Sequence, residues 1–127
     1  MIDARELRTG NYISFNVVDN PFQVTAKEIL MIENGQMNDS QSYYLEPIQL
    51  TEKWLIDFGW GKGEHDTEYY DNVSMDQCIL AYNVNSKMFT IESHRDIIEI
   101  PNIEYVHTLQ NVFYALTGKE LTLKTNV

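Results

Sequence analysis

The acidic segment at residues 64–68 brings several potential metal ligands close together. It places His65 among the carboxylates Glu64, Asp66 and Glu68. A zinc site needs several histidine or cysteine ligands at defined spacing, and one histidine among carboxylates lacks that set. Carboxylates alone offer at most a weak site for a calcium-type cation. The sequence therefore predicts a loop without a resident metal, with an opportunistic cation site as the alternative.

The only cysteine, Cys78, excludes an internal disulfide and fits a reducing compartment. Its neighbours are apolar and acidic, whereas a reactive thiol needs a base and an electropositive setting. We expect a buried structural cysteine in a strand. The glycine-rich residues 59–63 follow a predicted helix and lack the Gly-Lys-Ser/Thr ending of a phosphate-binding loop. The sequence predicts a protein that is not an enzyme and has no cofactor.

The C-terminal part of the chain carries a stripe of uncharged polar side chains: His107, Gln110, Asn111 and Tyr114. Spacings of three and four residues place them on one side of a helix, opposite its apolar face. One interpretation is that the stripe is half-buried against a loop or sheet, where hydrogen bonds satisfy it. The other is a recognition face for a protein partner, since tyrosine and histidine combine contact area with polar tips. These four residues are the candidate partner-binding residues.

Short antiparallel strands are predicted in the N-terminal half. Gly10-Asn11 supplies turn chemistry, and apolar and polar residues alternate over residues 12–17. Asn34-Gly35 is a hairpin signal, because both central residues of a type I′ turn need positive φ. Further strands are predicted at residues 22–26, 29–32 and 42–45. By analogy, such strands are compatible with a small SH3-like barrel.

The second half mixes helices and strands. Thr51 is a good N-cap and Gly59 a good C-terminal residue for a short central helix. A longer C-terminal helix is predicted from the cap Asn102 to Gly118, with a buried apolar face. Strands are predicted at residues 67–71, 77–83 and 87–92, with a turn at Asn85-Ser86. Residues 97–100 are a short apolar run closed by Pro101. The predicted fold class is α+β with mainly antiparallel strands, in a single domain over residues 1–127.

The charge is strongly negative and unevenly distributed. Residues 28–86 contain eleven acidic residues and two lysines, so they carry −9 of the formal net charge of −10. This region repels phosphate backbones, which argues against direct binding of nucleic acid. The N-terminus is charged at once and no apolar run could span a bilayer, so we expect a cytoplasmic protein without a membrane partner.

Three parts of the sequence resemble one family. They are residues 5–12 (RELRTGNY), residues 46–55 (EPIQLTEKWL), and residues 105–111 (YVHTLQN) with 115–118 (ALTG). Together they are similar to a family of small uncharacterised proteins from Bacteroides-type bacteria and their phages or mobile elements. The resemblance implies a bacterial cytoplasm and a horizontally acquired element, and it carries no catalytic residue or cofactor with it.

Two functions are compatible with these observations. The first is a non-enzymatic interaction module for an unknown protein partner. The alternative is an acidic nucleic-acid mimic that inhibits a DNA- or RNA-binding enzyme. The sequence also leaves open a homo-oligomer.

Overall fold

The computed structural model describes residues 2–15, 18–35, 44–63, 69–72, 78–93 and 96–124. The chain divides into two compact units, Met1–Gln49 with Tyr105–Val112 and Leu50–Glu104 with Phe113–Val127. The single domain expected from the sequence stays a prediction. Mixed helices and antiparallel sheets confirm the α+β class. No helix in the described residues has the length and apolar character needed to cross a membrane.

The first unit contains a small antiparallel sheet and one α-helix. Its elements are the 3₁₀ turn Ala4–Glu6, β1 (Tyr12–Phe15), β2 (Val18–Gln23), α1 (Ala26–Glu33) and β3 (Leu45–Glu46). The strand order is β2-β1-β3. Its core contains the buried residues Ile2, Ile13, Val24 and Leu45. The described strands of this unit do not close on themselves, so the SH3-like barrel is not confirmed.

The turn that starts β1 is formed as the sequence predicts. Gly10 adopts φ 97°, a conformation that glycine tolerates best. The Gly10 N–H donates to the Val24 carbonyl at 2.9 Å, and the Val24 N–H donates to the Asn11 carbonyl at 2.8 Å. These two bonds hold the turn against the residue that follows β2.

The prediction of a strand at residues 29–32 and a hairpin at Asn34-Gly35 is wrong, because this segment is helix α1. Ile29 and Ile32 are spaced three apart and pack against the same core, as helix periodicity requires. Asn34-Gly35 ends the helix instead: the Gly35 N–H donates to the Ile32 carbonyl at 3.0 Å, and Gly35 has φ 75°. Thr25 precedes the helix by one residue and its hydroxyl bonds the Glu28 carboxylate.

The second unit is built on a five-stranded antiparallel sheet of order β4-β5-β6-β7-β8 among the described residues. Its strands are β4 (Gly61–Lys62), β5 (Tyr69–Asn72), β6 (Ile79–Asn83), β7 (Met88–Glu92) and β8 (Ile97–Ile100). β5, β6 and β7 are at or near the predicted positions, and β8 forms in the apolar run at residues 97–100. β4 lies in the glycine-rich residues, where the sequence predicts no strand: Gly61 and Lys62 pair with Asp71 and Tyr70.

The turn between β6 and β7 is held by Asn83. Its buried side-chain oxygen accepts from the N–H groups of Asn85 and Ser86 at 2.9 and 3.0 Å. This is an Asx-type turn, which asparagine favours because its side chain replaces a backbone acceptor. Lys87 completes the turn at φ 60°. The predicted turn at Asn85-Ser86 is therefore confirmed.

One face of the five-stranded sheet forms the core of the second unit. Leu80, Tyr82 and Phe89 alternate along β6 and β7 and are fully buried. Trp60 lies 6.2 Å from Phe89 and 6.4 Å from Phe113 between ring centroids. The Tyr82 hydroxyl donates to the Ile103 carbonyl, so its buried polar end is satisfied.

The central helix α2 (Glu52–Asp57) confirms the sequence prediction. Thr51 precedes it in extended conformation, and Gly59 follows it at φ 90°. Leu50, directly before Thr51, and Leu55 within the helix are both buried.

The C-terminal helix α3 (Val106–Thr117) starts later than the predicted cap Asn102. Asn102 has φ 64°, whereas an N-cap residue has extended backbone. The intervening residues pair with other segments instead: the Ile103 N–H donates to the Lys87 carbonyl at 3.0 Å. The predicted end is confirmed, because Gly118 has φ 71° and its N–H donates to the Tyr114 carbonyl. The apolar face is also present, with Val106, Leu109 and Phe113 buried.

Candidate functional site

The four residues of the predicted stripe differ in accessibility. His107 and Gln110 are each 1% exposed and Asn111 is half-buried, all three in the first unit. Tyr114 is 42% exposed and belongs to the second unit. Of the two interpretations that the sequence left open, burial against a neighbouring segment applies to His107, Gln110 and Asn111. A role of the stripe in binding a partner stays a prediction.

Gln110 binds the main chain on both sides of the turn before β1. Its side-chain oxygen accepts from the Tyr12 N–H at 2.8 Å, and its amide nitrogen donates to the Gly10 carbonyl at 3.2 Å. A primary amide has a donor and an acceptor side by side, so it can pair with a peptide segment much as a neighbouring strand would. Gln110 therefore positions the start of β1.

Two asparagines extend this contact. The Asn111 amide nitrogen donates to the Glu6 carbonyl at 2.7 Å, and the Asn11 amide nitrogen donates to the Asn111 side-chain oxygen at 2.9 Å. Asn11 is fully buried, and its own side-chain oxygen accepts from the Arg8 N–H. We call Asn11, Gln110 and Asn111 the amide cluster. Its members satisfy one another and the main chain, as buried polar groups require.

His107 lies beside the amide cluster. Its Nε2 atom is 3.4 Å from a Glu6 carboxylate oxygen, and its ring stacks on Tyr105 with centroids 5.7 Å apart. Burial lowers the pKa of His107, while the Glu6 carboxylate acts in the opposite direction. Nδ1 is buried without a hydrogen-bond partner in the described structure. The neutral imidazole is therefore the form that the fold favours.

The chemistry available to the amide cluster is limited to hydrogen bonding. Amides do not transfer protons, and the amides here are engaged with main-chain groups. Among the described residues, no group of three or more histidine, cysteine or acidic side chains could hold a metal. The amide cluster therefore positions α3 against residues 6–12 within the first unit.

Cys78 corrects a further prediction. It is half-buried and lies just before β6 rather than inside a strand with its side chain in the core. Residues 64–68, where the sequence predicts no resident metal and leaves an opportunistic cation site as the alternative, lie outside the described residues.

A second candidate site lies on β8, the last strand of the five-stranded sheet. Ile97 and Ile98 are 62% and 55% exposed, which is high for isoleucine in a strand. Ile98 lies opposite Ile91 and Ile100 opposite Phe89, on the core face, whereas Ile97 and Glu99 lie on the other face. From the sequence, this segment is only an apolar run. Pro101 directly after it was the available signal, since proline favours edge strands.

The first unit also has an open groove beside α1. It has a volume of about 390 Å³ and is lined by Thr9, Ala26, Ile29, Leu30 and Glu33. Leu30 is 60% exposed there.

No protein-family model, curated protein or solved structure matches this chain. Parts of the segments that carry the family resemblance meet in the first unit. The Val106 N–H donates to the Ile48 carbonyl at 2.9 Å, Gln49 pairs with Tyr105, and the amide cluster joins residues 105–111 to residues 5–12. Residues 50–55 and 115–118 belong to the second unit.

Proposed function

We propose that the protein is a non-enzymatic interaction module that binds a protein partner along β8. The observation that carries the proposal is the exposure of Ile97 and Ile98 on the outermost strand of the sheet. An exposed apolar edge strand has unpaired backbone groups and invites another chain to pair with it. Binding along such an edge is a common way for a sheet protein to recognise an extended segment.

The hydrogen bonds of the polar residues favour an interaction module over an enzyme. The amide cluster and His107 are engaged in hydrogen bonds within the first unit. Following the resemblance, we place the module in a bacterial cytoplasm, on a phage or mobile element.

Capture from a native lysate tests this function. The immobilised protein is compared with Ile98→Lys, and proteins retained from a Bacteroides-type lysate are identified by mass spectrometry. The matched control is Ile56→Lys, because Ile56 is 48% exposed on α2 and the change in charge is the same. A protein retained by wild type and by Ile56→Lys but lost from Ile98→Lys supports the proposal. Equal retention by all three proteins refutes it.

The acidic-mimic alternative gives a different result in the same experiment. A mimic binds through carboxylates, so its capture of a nucleic-acid enzyme would be lost at high salt. Retention of this enzyme would also not depend on which position carries the introduced lysine. Equal, salt-sensitive retention by Ile98→Lys and Ile56→Lys would therefore favour mimicry.

A further inference from the structure

The hydrogen-bonding alternation of the β7–β8 hairpin shows which groups of β8 face outward. The Ser93 N–H donates to the Asp96 carbonyl at 2.9 Å, which makes Ser93 and Asp96 a hydrogen-bonded pair. Antiparallel pairs alternate between hydrogen-bonded and non-hydrogen-bonded. From the register, Ile98 and Ile100 turn their main-chain groups toward β7, while Ile97 and Glu99 turn theirs away from it.

The outer edge of β8 is therefore a short template for one more strand. Ile97 and Glu99 offer two outward N–H donors and two outward carbonyl acceptors, and no described strand lies on that side of β8. Pro101 has no N–H, so it ends the template at the C-terminal side. A strand added here would make about four main-chain hydrogen bonds with β8.

The side chains of β8 set the pattern that an added strand must have. On the core face, Ile98 and Ile100 continue the row of buried apolar residues, so facing residues should be apolar. On the other face, Glu99 is exposed, and Glu92 lies opposite Ile97. A lysine or arginine there can lay its methylene stem on Ile97 and reach a carboxylate with its charged end.

The local charge requires a basic partner. Glu92, Asp96 and Glu99 are exposed along this edge. Even with Arg95 counted, residues 92–99 carry three acids and one base, a net charge of −2. Opposite charges directly across a strand pair stabilise it, and like charges destabilise it.

A second copy of this chain is a poor occupant for the same reason. Antiparallel pairing of two β8 strands about Ile98 would bring the acidic groups of both copies onto one face. Each copy also carries a net charge of −10, and like charges oppose association.

We infer that the partner segment is an extended peptide of alternating apolar and basic residues, which pairs with β8 as a sixth strand. This inference rests on the proposed function and specifies the chemistry of the partner. The apolar residues cover Ile98 and Ile100, and the basic residues face Glu92 and Glu99.

Synthetic ten-residue peptides test the inference. The probe alternates valine and lysine, and one control replaces lysine by glutamate. A second control carries N-methyl groups on alternate peptide bonds, which removes strand pairing but retains charge and apolar surface. Calorimetry should show binding of the first peptide alone. Amide exchange followed by NMR should show new protection at Ile97 and Glu99, because the amides of Ile98 and Ile100 already face β7.

Charge reversal in the protein gives an independent check. Glu99→Lys should weaken the lysine peptide about tenfold and strengthen the glutamate peptide, since attraction becomes repulsion. Glu33→Lys makes the same charge change in the first unit and should leave both affinities unchanged. Equal effects of the two variants would show that net charge, rather than Glu99, selects the peptide, and would overturn the inference.

The outcomes separate this inference from the proposed function. Binding of the N-methylated peptide as tightly as the probe, or absence of protection at Ile97 and Glu99, overturns strand addition. If Ile98→Lys still loses a partner from lysate in that case, the function stands and the inference fails. If sedimentation shows dimerisation of the wild type that Ile98→Lys abolishes, a second copy occupies the edge and the inference also fails.

Discussion

At the scale of single residues, the first unit depends on amide side chains that form hydrogen bonds with the main chain, as a neighbouring strand would. Gln110 pairs with the main chain of Gly10 and Tyr12, and Asn111 with that of Glu6. A buried peptide group without a partner costs about 1–3 kcal/mol. These side chains are therefore structural even though they are polar and lie on a helix.

Replacement of Gln110 should show this cost. We expect Gln110→Ala to lower the free energy of unfolding by about 1–3 kcal/mol, since the Tyr12 N–H loses its side-chain acceptor. Gln23→Ala is the matched control, because its amide donates to the same Gly10 carbonyl at 3.1 Å but is exposed. It should cost about 0.5 kcal/mol or less. Urea denaturation measures both, and equal losses would mean that burial of Gln110 contributes nothing.

His107 should make stability depend on pH. Burial lowers its pKa in the folded state below the ordinary 6.5, although Glu6 opposes the shift. The unfolded state then binds more protons just below pH 6.5, so stability is full above this value and falls as pH falls toward the folded pKa. Asp3 contributes at lower pH, because the Arg5 guanidinium lowers its pKa to about 2.

The measurement compares urea midpoints at about pH 7.5 and about pH 5.5 for wild type and His107→Gln. Wild type should lose more stability on acidification than the variant. An equal loss in both proteins would place the responsible group elsewhere. From the sequence alone, substitution of His107 would be expected to have little effect on stability. Its burial depends on residues 6–12, which lie far away in the chain.

At the scale of elements, local signals predicted well wherever the partner lay nearby. The Gly10 turn, the Asn85-Ser86 turn and helix α2 are formed by residues close in sequence, and all three were predicted. Helix α1 was missed because Asn34-Gly35 ends a helix as readily as it makes a hairpin. The Thr25-x-x-Glu28 spacing was the signal of a helix start that should have decided between them.

Substitutions in α1 distinguish the helix from the strand that the sequence suggested. In a strand, Leu30 and Ile32 share a face, whereas in the helix Ile29 and Ile32 do. We expect Ile32→Lys and Ile29→Lys to destabilise the fold by about 2 kcal/mol or more, because both pack on the core. Leu30→Lys should be nearly neutral, since Leu30 is 60% exposed. Loss of stability in Leu30→Lys, measured by thermal melting, would contradict the helical face.

The edge position of β8 could not be predicted from local pattern. Residues 97–100 showed only an apolar run in the sequence, and the exposure of β8 depends on strand order, which nonlocal pairing decides. The prediction that Cys78 is buried was wrong for a similar reason. Its apolar neighbours predicted burial, but its position just before β6 leaves it half-buried. The candidate site on β8 could therefore be located only from the strand order and register of the whole sheet.

At the scale of the whole molecule, the net charge of −10 sets a general repulsion. Residues 28–86 hold −9 of it, so like charges lie in one part of the chain. Self-repulsion disfavours a compact state, and salt screens it over about 10 Å at 0.1 M. The ion pairs Arg5–Asp3 and Lys53–Asp57 are exposed, so screening them costs little.

Salt should therefore stabilise this protein. We expect the melting temperature to rise by a few degrees between about 20 mM and about 200 mM NaCl, because screened repulsion outweighs weakened surface pairs. KCl should act identically if screening is the cause. CaCl₂ at equal ionic strength should add nothing, since the sequence of residues 64–68 offers at most a weak cation site. An extra rise with CaCl₂, reversed by EDTA, would assign a cation to these residues. A fall with NaCl would show that ion pairs outweigh the excess of like charge.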